Sequence, residues 1–242
     1  MGKEWYQRWF NEYYSLLYPK RNDEEAKSQV EAVVEMFGSG GSCLDIACGS
    51  GRHLFHLSRY FKRSVGLDLS AELIKIGTTE GNFRNSEVFQ ADMRVPPFTE
   101  KFDLVTNFFN GFGYFRTDLE HQDLLCKWSN LVAENGILMI DYLNKDRVIK
   151  NLVPRTVREV NGHKMEEVRS LSEDSLRVEK SILICGPRGS HEFKESVRMY
   201  DHNEMKEMLV NCKYRDIRTF GDFSWSEFLP SISERLILVA KK

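Results

Sequence analysis

The stretch Cys43-Leu44-Asp45-Ile46-Ala47-Cys48-Gly49-Ser50-Gly51-Arg52-His53 decides the fold. Its apolar start makes a short strand and its small residues a turn, and Leu54, Leu57 and Phe61 recur at helical spacing over His53 to Phe61. Gly49 and Gly51 admit backbone angles barred to other residues and let a ligand come close to the main chain. They stand at the carboxyl end of a strand, where open α/β sheets bind their ligands. A dinucleotide fingerprint would carry a third glycine where Leu54 stands. Asp45, inside the strand end, suits a cationic ligand better than a pyrophosphate, so a phosphate loop is disfavoured.

Further strands follow in order. Ser64 to Asp68 ends in an acid 17 residues past Gly51, the offset at which doubly wound folds hold ribose hydroxyls. Ser70 is the better cap for the next helix, Ala71 to Thr79, which leaves Asp68 for the ribose. A third strand, Val88 to Met93, again carries an acid, Asp92. The fourth, Phe102 to Asn107, runs into a loop of aromatics and glycines, Phe108 to Phe115. After a helix capped by Thr117 or Asp118, the unbroken apolar run Ile137 to Asp141 reads as a fifth strand buried on both sides. Its end, Asp141-Tyr142-Leu143-Asn144, faces the ligand edge.

The rhythm then changes to period two. Between Arg155 and Tyr200, apolar and polar residues alternate, with turns at Asn161-Gly162, Glu173-Asp174 and Gly186 to Gly189. This predicts an antiparallel meander of about four strands inserted after the fifth strand, placed to roof the site. Asp201 and Glu204 start a helix with a capping box. Two last strands, Arg215 to Phe220 and Arg235 to Ala240, are joined by Gly221 to Ser233. At the other end, Lys3 to Leu17 reads as one helix with a stripe of Tyr6, Trp9, Phe10, Tyr13 and Leu17, and Asp23 caps a second.

The ordered motifs resemble those of class I S-adenosylmethionine (SAM)-dependent methyltransferases, well over about residues 40 to 145 and loosely at the two ends. Within that family Asn110-Gly111-Phe112 looks like the Asn-Ser-Phe segment of the small-molecule, glycine N-methyltransferase-like group, with Gly111 in the place of serine. The Asn/Asp-Pro-Pro-Tyr/Phe motif of enzymes acting on base amines or glutamine amides is missing. The resemblance implies an α/β fold: a Rossmann-like seven-stranded methyltransferase sheet flanked by helices, with the antiparallel β insertion after the fifth strand. Residues 1–144 and 201–242 would form the SAM-binding domain and residues 145–200 the inserted lid.

The resemblance also implies the site. Backbone around Asp45, Ala47, Cys48, Gly49 and Gly51 would hold the amino acid end of SAM, Arg21 its carboxylate, Asp68 and Leu69 the ribose, and Asp92 and Met93 the adenine. Asn107 would complete the cofactor set. A tyrosine among Tyr13, Tyr14 and Tyr18 would close over it, with Tyr18 placed in the cofactor set. Asn110, Tyr114, Tyr142 and Asn144 are the candidate acceptor wall. The reaction would be methyl transfer to nitrogen or oxygen of a small molecule, leaving S-adenosylhomocysteine (SAH), without a metal.

Composition narrows the alternatives. The 242 residues carry a formal net charge of −2, which gives a polyanion or an anionic membrane little purchase. Residues 145–200 hold twelve Lys or Arg against nine Asp or Glu, alternating as on a solvated sheet face. An RNA-modifying methyltransferase is therefore the second reading, and a non-catalytic SAM or SAH sensor the third. No apolar run reaches the ~20 residues of a membrane span. The five cysteines form no CxxC pair and read as reduced structural thiols in a cytoplasmic protein. Oligomeric state is not encoded in any of these patterns.

Overall fold

The computed structural model describes residues 4–17, 23–187 and 189–242, with only the backbone of 15–17. Tyr18 and Arg21 lie outside the described residues. The expected N-terminal helix is two: α1 (Trp5–Trp9) and α2 (Glu12–Leu17). Phe10 leaves helical angles at φ −76° and ψ 72°, and the Asn11 side chain accepts from the Tyr13 amide at 2.8 Å, restarting the helix.

The body follows as α3 (Asp23–Phe37), β1 (Ser42–Ile46), α4 (Arg52–Leu57), β2 (Arg63–Asp68), α5 (Ala71–Glu80), β3 (Glu87–Gln90), β4 (Phe102–Asn107), α6 (Asp118–Leu131) and β5 (Val132–Leu143). Then come α7 (Lys145–Lys150), the strands β6 (Arg155–Val160), β7 (His163–Leu171), β8 (Arg177–Gly186) and β9 (Gly189–Arg198), and finally α8 (His202–Asn211), β10 (Arg215–Phe220) and β11 (Arg235–Lys241).

Seven strands form one sheet in the order β10-β11-β5-β4-β1-β2-β3, with β11 antiparallel to both neighbours. Leu44, Ile46, Val65, Leu67, Val105, Leu138 and Ile140 fill its core. Because β1 pairs with β2 on one side and β4 on the other, strand order reverses at β1, and the ligand crevice opens beyond its carboxyl end.

The insertion is a separate antiparallel sheet, β6-β7-β8-β9. Its first hairpin turns on Asn161 and Gly162, both in the left-handed region at φ 50° and 73°. On its inner face Met165, Ile182 and Ile184 pack under Trp9 and Tyr13, so the N-terminal helices rest on the inserted sheet. The sheet is tied in turn to the loop after β4. Arg177 donates to the Phe115 carbonyl at 3.0 Å and the Arg198 amide to the Gly113 carbonyl at 2.8 Å. Gly113 cannot carry a side chain, since a Cβ there would stand 2.8 Å from the Arg198 carbonyl oxygen.

Two core features bear on stability. Cys126 on α6 and Cys212 just after α8 form a disulfide across 86 residues, which corrects the expectation that all the thiols are reduced. Nothing in the spacing marks the pair, because it arises where α6 and α8 pack side by side. Cys43, Cys48 and Cys185 are free. Asp45, 2% exposed, accepts a hydrogen bond from Thr106 Oγ1 on β4 at 2.9 Å. Burial pushes its carboxyl up from 3.8 to about 7, with the Thr106 bond pulling it down, repulsion from Asp68 pushing it up and attraction to Arg52 pulling it down. Among the described residues no helix is long and apolar enough to cross a membrane.

Removing the cross-link by Cys126→Ala with Cys212→Ala should lower unfolding stability by about 2–4 kcal/mol in urea, since it frees a long loop in the unfolded chain. A midpoint matching that of the parent protein, measured without reductant, would remove the bond from the stability account. For Asp45, both states are protonated below pH ~4, and between pH ~4 and ~7 only the unfolded chain gives up its proton. Its contribution therefore falls as pH rises and levels off above that range. The stability difference between Asp45→Asn and the parent should grow in favour of the variant by about 1.4 kcal/mol per pH unit in that window. Urea titrations at pH 4, 5.5, 7 and 8 test this, and a flat difference would contradict it.

Candidate active site

The turn after β1 is held by unusual backbone angles. Ala47, Gly49 and Gly51 all lie in the left-handed region, at φ 59°, 58° and 80°. At Gly51 the alternative is closed twice over, because a Cβ would also meet the Phe83 ring at 2.2 Å. The Asp68 carboxylate secures the turn: Oδ2 accepts from the Gly49 amide at 2.7 Å and Oδ1 from the Ser70 amide at 2.8 Å. Burial raises the pKa of Asp68, and the backbone donors Ser70, Gly49 and Leu69 oppose that rise. Ser70 caps α5 by accepting from the Leu73 amide, and its hydroxyl donates to the Phe10 carbonyl at 2.6 Å.

These contacts frame a cavity of about 470 Å³ at the ends of β1, β2 and β3. Ala47, Asp68, Leu69, Asp92 and Met93 line it as expected, and Tyr6 and Phe10 close it from α1. Tyr13, a candidate for that closure, turns elsewhere: its hydroxyl bonds His191 Nε2 on β9 at 2.7 Å. The sequence shows the aromatic stripe but not which ring of each pair turns toward the ligand. Arg94 carries no signal in the sequence, yet its guanidinium grips Asp92 through Nε at 3.1 Å and Nη2 at 2.6 Å. Burial works against ionisation of Asp92, and the Arg94 bonds outweigh it, holding the carboxyl below its usual range. Asp92 is thus a fixed, charged acceptor.

Other expected cofactor residues lie behind this wall. Asp45 is buried beneath the turn. The Cys48 side chain packs toward Gly66, where a Cβ would come within 2.8 Å of its sulfur, so only the Cys48 backbone belongs to the turn. Asn107 is fully buried and donates from Nδ2 to the Ile46 carbonyl at 2.8 Å. Its Oδ1 has no hydrogen-bond partner among the described residues. Gly111 packs on the same amide: a Cβ would lie 2.3 Å from Asn107 Nδ2 and 3.0 Å from the Ala47 Cβ. This gives a steric reason for glycine where the resemblance expects serine.

A second cavity, of about 730 Å³, lies between the loop after β4, α7 and the inserted sheet. Asn110 and Tyr114 line it as expected, together with Tyr14, Phe109 and Leu143. Phe10 and Tyr114 belong to the walls of both cavities. Across from these aromatics the inner face of the sheet carries a band of charge. Arg169 pairs with Glu167 at 2.9 Å and Lys180 with Glu195 at 2.7 Å. Thr156 and Glu167 share the first hydrogen bond of that band at 3.1 Å.

Tyr142 and Asn144 are not in this wall. Tyr142 is fully enclosed and donates to the Arg198 carbonyl. Asn144 caps α7 and donates to the carbonyls of Pro230 and Ser233 at 2.8 and 2.7 Å, pinning the segment before β11. At the end of β5 it is Leu143 that lines the cavity.

Comparison with known proteins agrees with this geometry. Residues 43–136 match a family described as a methyltransferase domain. A dTDP-3-amino-3,6-dideoxy-alpha-D-glucopyranose N,N-dimethyltransferase of Streptomyces fradiae is 28% identical over 162 residues, 65% of this chain and 63% of the relative. The dTDP-3-amino-3,4,6-trideoxy-alpha-D-glucopyranose N,N-dimethyltransferase of Streptomyces venezuelae is 26% identical over 63% of this chain and 72% of its own. The alignment to the first of these relatives thus spans less than two thirds of that relative's length. In fold, a SAM-dependent methyltransferase from Clostridium acetobutylicum superposes with a TM-score of 0.80 over 95% of both chains, at 16% identity. Residues 43–136 are thus similar to a methyltransferase domain, and the strand order and the superposition show that the chain has the fold of such a SAM-dependent methyltransferase.

Proposed function

We propose that the protein transfers a methyl group from SAM to a nitrogen of a small, polar amine acceptor. The observation that carries this reading is the wall of Phe10 and Tyr114 common to the two cavities, which sets a cofactor-sized space beside a larger, charged one. The acids Asp68 and Asp92 in its lining support SAM as the occupant of the first, because they offer acceptors to ribose hydroxyls and to an adenine amine. Asp68 would hold the ribose, Asp92 and the Met93 backbone the adenine, and the backbone of Ala47 to Gly49 the amino acid end.

When bound, SAM supplies a methyl group already made electrophilic by its sulfonium. The chain's own residues align and desolvate. Phe10, Tyr14 and Tyr114 keep water from the path between the cavities, and Asn110 orients the acceptor. Arg169, Lys180 and Glu195 offer hydrogen bonds of both senses to its remote part. The relatives named above act on dTDP-linked amino sugars, which makes amine-bearing sugar nucleotides the first acceptors to try. In this reading residues 145–200 are the acceptor roof and residues 1–144 with 201–242 the cofactor domain. A roofed cavity and a balanced charge favour a small acceptor over RNA.

Calorimetric titration with SAH should show binding that Asp68→Ala weakens by about 10–100-fold, because the substitution removes a charged acceptor and frees the Gly49 amide it holds. Equal affinity in parent and variant would take Asp68 out of the site. Methyl-labelled SAM offered with a panel of amino sugars and simple amines should give labelled product at a rate that rises with pH through the acceptor's own amine pKa, since only the free base has a lone pair to give. Glu195→Gln should raise the acceptor KM severalfold while SAH affinity holds. Labelling of RNA, and of none of the amines, would overturn the small-molecule reading.

A further inference from the structure

Phe109 and Asn110 are both in the left-handed region, at φ 58° and 61°. A bulky aromatic rarely adopts that conformation, and two such residues in succession persist only where their surroundings over-determine them. The surroundings here are one ion pair. Asp141, at 0% exposure on β5, accepts from the Phe109 amide through Oδ2 at 2.9 Å, and its backbone carbonyl accepts from the Asn110 amide at 2.9 Å. Arg235 on β11 donates from Nε to Asp141 Oδ1 and from Nη2 to Asn110 Oδ1 at 3.2 Å. The same guanidinium stands 5.3 Å from the centre of the Phe109 ring.

The kink has a consequence for the acceptor cavity. In an extended chain adjacent side chains point to opposite faces. Here Phe108 goes inward, stacked on His53 with ring centres 4.1 Å apart, while Phe109 and Asn110 both line the acceptor cavity. The Asn110 carboxamide is oriented too, its oxygen held by Arg235.

We infer that Asp141 and Arg235 are positioning residues for methyl transfer: together they clamp Phe109 and Asn110 in the left-handed kink and so present both side chains to the acceptor. This rests on the reading of that cavity as the acceptor site. Neither clamp residue lines the cofactor cavity, so their loss acts on the acceptor half of the reaction.

The test compares the parent with Arg235→Gln, Arg235→Lys and the double variant Asp141→Asn with Arg235→Gln, the last of which leaves no uncompensated buried charge. Amide exchange measured by NMR on the unliganded protein reads the clamp without any turnover. Exchange at Phe109 should quicken tenfold or more in Arg235→Gln and in the double variant, and less in Arg235→Lys, while amides of β1 and β4 keep their protection. SAH affinity should stay within twofold. With an accepted amine, kcat should fall at least thirtyfold in Arg235→Gln, with partial rescue in Arg235→Lys. Unchanged exchange at Phe109 overturns the proposal, as does a loss of SAH affinity matching the loss of kcat. If the parent methylates nothing, the functional reading fails, while the exchange data still decide whether the clamp exists.

Discussion

The carboxylate of Asp68 joins three parts of the chain that sequence leaves far apart. It holds the Gly49 amide of the turn after β1 and the Ser70 amide at the head of α5, and Ser70 in turn reaches the Phe10 carbonyl at the end of α1. Each bond alone is modest, but a chain of them fixes the floor, one side and the cover of the same cavity. Without Asp68 the glycine turn would keep its permissive angles and lose the reason to hold one of them.

The larger cavity depends on a second set of ties, made mostly by arginine. Arg177 and Arg198 lash the inserted sheet to Gly113 and Phe115, and Arg198 also pairs with Asp118 and Glu204. His121 completes the attachment. Its Nε2 accepts from the Phe115 amide at 3.0 Å and its Nδ1 meets the Tyr200 hydroxyl at 2.8 Å. Burial lowers its pKa to about 4, helped by the nearby Arg177, so the ring is neutral and able to accept. The loop that delivers Phe109, Asn110 and Tyr114 is therefore braced from the roof above as well as from the strands below.

Much of this is legible in the amino-acid order. Asp68 and Asp92 can be read because an acid closing an apolar strand is costly to bury unless donors meet it there, and the glycine turn because its angles exclude most side chains. The four strands of the insertion follow from alternation and turn chemistry. Less can be read where a choice of face decides. Tyr142 and Asn144 stand at the end of a strand buried on both sides, where no polarity marks the cavity face. Tyr6, Phe10 and Tyr13 belong to one stripe, and only the break at Phe10 turns the first two to the smaller cavity and sends Tyr13 to His191. The Arg94 grip on Asp92 and the Cys126–Cys212 bond depend on side-chain reach and helix packing, which leave no periodic trace. Arg235 lies 94 residues from its partner Asp141 and is brought to it only by the antiparallel pairing of β5 and β11.

Phe10 and Tyr114 have a further consequence as a partition common to two rooms. The segment that bears Phe10 rests on the inserted sheet through Trp9 and Tyr13, so cover and roof are mechanically one piece. Whatever displaces the rings of Phe10 and Tyr114 on one side therefore reshapes the other cavity as well.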